Sequence, residues 1–550
     1  MADCEVPYID CANKDITIEE LLKLMAVKLP DGSPALRTCG CGCGGDVPAS
    51  NMPIGNSVFV NPLGDDATGE RENFHKPFLT LNSAKLAASP FLVNGGFIVA
   101  NGTGYPAPAP QLDVPTTGGT GVGLTVDYEE SFPGFISVTI NTPGTGYTNG
   151  DIVTITGGNE DRTLQLNVAQ VIDTIYVYGG TYNEGNVLHK EGVKWHFLGK
   201  PTLNLFAPSV WNDDAGITDI QINGDAIINH FGNGNFIRVN NFSTVSINFH
   251  KVTGIGSAIL WLGNGSGIIN IATKLEVTTV NRCIQFEEDN RFVINVDDIF
   301  CNSFIGGVSN AVNCRGNHIG QSIINARIIR LERANGQTVA ASPTAQGLGV
   351  ITFNISDKIS FDRATTIPIQ GDGAVALLGG TFIINGNIDG KIGHAIDIQT
   401  GSSPKYLEHN GNAINDGSLP LVYHGADSGF WSAGNSTLKL NGKYKSSNEK
   451  VVQNGGLANG QKMFINGEII SEYNGIVTNY GLYLEADAGA TLLDNVKIVM
   501  DLVATNPRGI GAGGPRDIKI VHNVASNADV DGNITNLITG TQYVFDTDIE

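Results

Sequence analysis

The chain has 550 residues, 41% of them hydrophobic and only 16% charged, with 70 glycines and no G-X-Y period, which excludes collagen and a disordered polyelectrolyte and favours many short strands joined by tight turns. A formal net charge of −21 and a pI near 4.8 remove the basic footprint of a nucleic-acid binder. No stretch reaches the roughly 18 apolar residues of a membrane helix, and MADCEVPYIDCANKD carries no basic region followed by an apolar run, so the expectation is a chain that stays soluble without export and does not insert into a membrane.

Residues 1–50 read as a separate module. Thr17-Ile-Glu-Glu20 is a capping-box pattern that predicts a helix over 18–27, with Leu21, Leu22, Met25 and Ala26 on one stripe and Pro30-Asp31-Gly32 as its stop. Cys4, Cys11, Cys39, Cys41 and Cys43 crowd this module, but C-x-C-x-C lacks the usual zinc-ligand spacing, so reduced thiols in a Gly-rich hinge are expected and no metal site. Cys283, Cys301 and Cys314 fall in apolar stretches and read as buried small hydrophobes.

Residues 51–100 predict a strand from Ser57, a polar turn and a short amphipathic helix ending near Ala88. GTGY at 102–105 recurs at 144–147, each copy followed by a Gly-Gly pair and an alternating apolar run, which predicts an inserted β-domain over 101–172.

Over 173–500 a residue, usually apolar, followed by Asn recurs at Asn204, Asn223, Asn248, Asn270, Asn295, Asn325, Asn354, Asn385, Asn410, Asn441, Asn466 and Asn495, in steps of 19 to 31 residues. A turn repeated in every coil of a parallel solenoid, stacked at roughly 4.8 Å, would place these amides one above another in a ladder of about 50 Å, and Asn tolerates the left-handed backbone such a turn is expected to need. Residues 501–550 leave the series and read as a C-terminal cap or trimer-forming region.

These features resemble the pectin-lyase-like β-helix superfamily, and within it the tailspikes and tail fibres of bacteriophages. VFVNPLGDDATGE…KPFLTLNSA (58–84) is similar to the opening of that fold, DTIYVYGGTYNE (173–184) to its next coil, and GTGYTNGDIVTITGG (144–158) to β modules inserted in phage virion proteins. The resemblance implies an all-β, right-handed parallel β-helix assembled as a homotrimer, docked to other virion proteins through residues 1–50. The expected location is the virion, after synthesis in the host cytoplasm, and the expected partner is host-surface glycan.

Candidate chemistry is sparse. Polysaccharide cleavage would need two carboxylates about 5–9.5 Å apart. Glu287 and Asp298 are the catalytic candidates, in the acidic runs Glu287-Glu288-Asp289 and Asp297-Asp298, yet neither aligns with a carboxylate in adjacent coils: Glu287 is expected opposite Leu262 and Asn317, and Asp298 opposite Thr273 and Ile328. Tyr423, His424, Asp427 and Trp431 form a candidate sugar-binding group, and Trp211, Asp213 and Asp214 a smaller one. No cofactor fingerprint or metal-ligand grouping is present. The leading expectation is an adhesive virion fibre rather than an enzyme; the alternative is a polysaccharide depolymerase, hydrolase or lyase, on the same scaffold.

Overall fold

The computed structural model describes most of residues 57–545, with interruptions such as 363–372 and 425–435, together with strands Ala26–Lys28 and Pro34–Leu36. The chain divides into units 1–54 and 55–550. In the first, Ala26–Lys28 pairs antiparallel with Pro34–Leu36. The tail of the expected helix, Ala26 and Val27, is therefore strand: β-branched Val27 lies just before the Pro30-Asp31-Gly32 turn signal, where cross-strand pairing outweighs the helical stripe. The remainder of that helix and the five N-terminal cysteines lie outside the described residues.

The second unit opens with the fully buried strand Ser57–Val60 and helix Leu81–Ala87. Thr80 caps the helix, its hydroxyl accepting from Ser83 N at 3.2 Å, and Asp66 fixes the cap by accepting from Thr80 N and Leu79 N. The buried Glu184 carboxylate accepts from Leu81 N at 2.7 Å, while the Lys190 ammonium donates to the carbonyls of Lys85 and Ala88 at the other end, so opposite charges meet opposite ends of the helix. Leu81 and Ala84 face the core that Val58, Val60, Ile175 and Val177 begin.

Between Ser57–Val60 and its parallel neighbour Asp173–Val177 the chain makes a six-stranded antiparallel sheet. This sheet starts at Phe91 rather than 101, because Phe91–Ala100 pairs with Thr163–Gln170 and brings both ends of the excursion together. It has its own core of Leu124, Val126, Tyr147, Val153, Ile155, Leu164 and Leu166. In the second GTGY copy Tyr147 is buried against Gly144, which sits at φ +62°, where a Cβ would stand 2.6 Å from Val122 O.

From Asp173 onward the architecture is all-β and β-helix-like: parallel strands stack into a 22-stranded and a 14-stranded sheet, as in a parallel solenoid. Ile222, Ile247, Ile269, Ile294, Ile324, Phe353 and Ile384 follow one another in register on the inner face of the first sheet. Ile237, Leu260, Ile284 and Val312, and then Val375, Ile396, Val422, Val452, Leu482 and Ile510, do so along the second. Burying each such side chain contributes about 1.5–3 kcal/mol, and the repetition holds the coils in step.

Three expectations change. Asn204 stands in a second row with Asn183 and Asn229, while Asn223 is in register with His196, which explains the short 19-residue step. Asn495, at φ +53°, falls at a register shift and bonds to Asp494. Strands Arg516–Ile520, Val524–Ser526, Ile534–Thr539 and Tyr543–Phe545 continue the first sheet in parallel, so the stack runs on beyond residue 500.

Candidate functional site

In VSINF, Ile247 and Phe249 are buried, so strand alternation turns Asn248 outward; the same holds in each equivalent segment. The amides therefore form a ladder on the solvent face. Each Nδ2 donates to the Oδ1 one coil earlier, at 2.7–3.0 Å, without a break from Asn223 to Asn441, and Asn466 stands in register next. From Asn223 to Asn466 these residues lie within strands, and none has a positive φ. The left-handed-type backbone falls on the residue after Asn: Gly224, Gly386, Gly442 and Gly467 have φ between +121° and +155°. At Gly442 a Cβ would stand 1.9 Å from Gly411 O, and at Gly467 2.0 Å from Gly442 O, so only glycine lets consecutive coils approach there.

Next to several rungs the strands shift register, between Phe249 and Lys251, Ile271 and Lys274, Ala326 and Ile328, and Asn354 and Lys358. The bend makes a groove of about 640 Å³ along the stacking direction. Asn248, Asn270, Asn295, Asn325 and Asn354 form one wall, and Asp225, Ala272, Asp297, Arg327 and Ser356 the other. After its ladder bonds, each carboxamide from Asn248 to Asn354 retains one N–H and one oxygen lone pair for a ligand.

The charges of the far wall are paired. Arg327 holds Asp297 through two nitrogens at 3.0 and 3.2 Å and reaches Asp357 at 3.6 Å. Asp225 meets His250 at 3.0 Å and Lys200 at 3.4 Å. Asp225 and Asp297 lie three coils apart, about 14 Å at the usual strand spacing, beyond the window of either glycosidase geometry.

The candidates from sequence fall elsewhere. Glu287 is buried; its backbone N donates to Leu262 O at 2.8 Å, and its carboxylate accepts from Gln285, which Arg282 holds in turn. The register partner of Leu262 is Phe286, one residue before the expected Glu287, and Asn317 lies outside the described residues. Asp298 faces Ile328 as expected but Lys274 in place of Thr273, because a register shift intervenes. Arg330 grips Asp298 through two nitrogens at 3.2 and 2.8 Å and lies 4.1 Å from the centroid of Phe300, whose ring also carries Lys274 at 4.2 Å. Glu287 belongs to the second sheet's connections and Asp298 to the first sheet, each held by its own neighbours.

Tyr423 stands in register between Asp397 and Gln453, and His424 between Ile398 and Asn454; Asp427 and Trp431 lie outside the described residues. Trp211 is fully buried, edge-on to Phe236 at 5.1 Å and to Trp195 at 6.2 Å, so it belongs to the core, and Asp213 and Asp214 lie outside the described residues. Cys283, Cys301 and Cys314 are buried thiols, and burial pushes the latter two up to about 12. Among the described residues there is no group of three or more His, Cys, Asp or Glu placed to hold a metal ion.

Compared with family models, with curated proteins and with solved structures, the chain matches none of them.

Proposed function

We propose that this chain is a bacteriophage virion fibre, a right-handed β-helix that assembles as a homotrimer and adheres to host-surface glycan through the asparagine groove, with residues 1–50 docking to other virion proteins. The observation that carries the reading is the groove itself: regularly spaced amide donors and acceptors on a rigid shaft suit a repeating chain of hydroxyls. The resemblance of 58–84 and 173–184 to the first coils of the pectin-lyase-like β-helix, and of 144–158 to β modules inserted in phage virion proteins, supports the setting. Three copies would give three weak sites acting together. Adhesion is preferred to cleavage because Asp298 is committed to Arg330, Asp297 and Asp357 share Arg327, and Asp225 lies about 14 Å from Asp297 at the usual strand spacing.

The test is to incubate the purified full chain with surface polysaccharides of candidate hosts, measuring retention and reducing-end release together. Retention without release is expected. Release would replace the reading with a depolymerase, and sedimentation as a monomer would remove the trimer.

A further inference from the structure

The outward column that carries the asparagines does not begin with Asn223. In register before it stand Phe59, Tyr176 and His196. Their rings stack along the axis, Phe59 to Tyr176 at 5.7 Å with 20° between planes and Tyr176 to His196 at 5.6 Å with 55°. Phe74 closes the stack, 5.7 Å from Phe59 and 5.7 Å from Tyr178, and is 50% exposed. Phe59 is buried beneath its neighbours and Tyr176, Tyr178 and His196 are half-buried, so the stack meets solvent through Phe74 and the uncovered parts of these three rings. Along the rest of the column the same positions are carboxamides.

We infer that the N-terminal end of the groove is a stacking subsite for a pyranose ring of an uncharged glycan, whose chain then runs over the asparagine rungs. The inference rests on the glycan reading above and adds the ligand's class and its anchor. A pyranose offers a face of C–H groups to an aromatic ring and hydroxyls at its edge, which matches rings at one end and amides along the remainder. The uncharged class follows from the net charge of −21, which repels uronate or sulfated chains, and from Arg327, the cation of the far wall, being held by Asp297.

The experiment is an array carrying dextran, galactomannan, chitin oligosaccharides and polygalacturonate, probed with the full chain and with Phe74→Ala, Tyr176→Ala and His196→Ala. Phe74 lies in an exposed connection, and circular dichroism with a melting curve establishes that each variant is folded. The expected result is retention on an uncharged glycan, weakened on the order of tenfold by Phe74→Ala and Tyr176→Ala. Equal retention of folded variants overturns the subsite and leaves the groove reading standing. Retention on polygalacturonate alone overturns the uncharged class. No retention on any member by the unaltered chain overturns the glycan reading, and the subsite with it.

Discussion

Asn325 donates its Nδ2 to Asn295 Oδ1 at 2.7 Å and accepts from Asn354 at 2.8 Å, so each rung is both donor and acceptor and all the rungs point the same way. A carboxylate at this position accepts from both sides. Asn325→Asp should therefore set two oxygens against each other at the Asn295 contact and destabilise the chain by about 1–3 kcal/mol, against about 1 kcal/mol for Asn325→Ala, which removes both bonds and leaves Asn295 Oδ1 and Asn354 Nδ2 to water. Urea unfolding monitored by circular dichroism distinguishes the two, and equal midpoints would show that the ladder's polarity carries no energy.

The glycine row beside the ladder predicts a different failure. Gly442→Ala would drive a Cβ into Gly411 O at 1.9 Å in a backbone region that L residues rarely adopt, with no flexible side chain to move aside. The cost should exceed the 1–3 kcal/mol or so of ordinary overpacking and appear as raised hydrogen exchange in the strand Ser436–Ser446. Unchanged exchange there would mean the coils part without penalty.

The Arg330 grip on Asp298 predicts that Asp298→Asn loses about 1–3 kcal/mol of stability while glycan retention is unchanged, because the pair lies off the groove. Glu287→Gln, whose carboxylate accepts from Gln285 on the connection of the second sheet, should likewise leave retention intact. A folded Asp298→Asn or Glu287→Gln chain that no longer binds would return that carboxylate to the site.

The stacking of coils was legible because an apolar residue precedes Asn at nearly every step, and those apolar residues are the inner column from Ile222 to Ile384. The direction of the amides was legible too, although the asparagines lie within strands and not in the expected turn: in VSINF and FVINV the flanking apolar residues belong to one face, and period two puts Asn on the other. What could not be read is the register across bulges, which moved Asp298 from Thr273 to Lys274, and the groove, which needs the bend of successive strands in three dimensions. The aromatic continuation through Tyr176 and His196 carries no asparagine, so no repeat search reaches it.

His409 occupies the inner column between Ile384 and Leu440. Gly386 O can only accept, so Nε2, 2.9 Å away, carries the proton, and Nδ1 accepts from the Tyr444 hydroxyl at 2.8 Å. Burial lowers His409 to about 4, and His318, beside Asn290, also to about 4. With folded values below the unfolded 6.5, each neutral imidazole contributes stability that is fully present above pH 6.5 and is lost as pH falls through 4, on the order of 3 kcal/mol per residue. His409→Leu with Tyr444→Phe restores the apolar column and removes one of the two imidazoles that burial lowers to about 4. Its urea midpoint should therefore fall less steeply than that of the unaltered chain between pH 6.5 and 4, and parallel pH profiles would show that His409 is protonated in the folded coil.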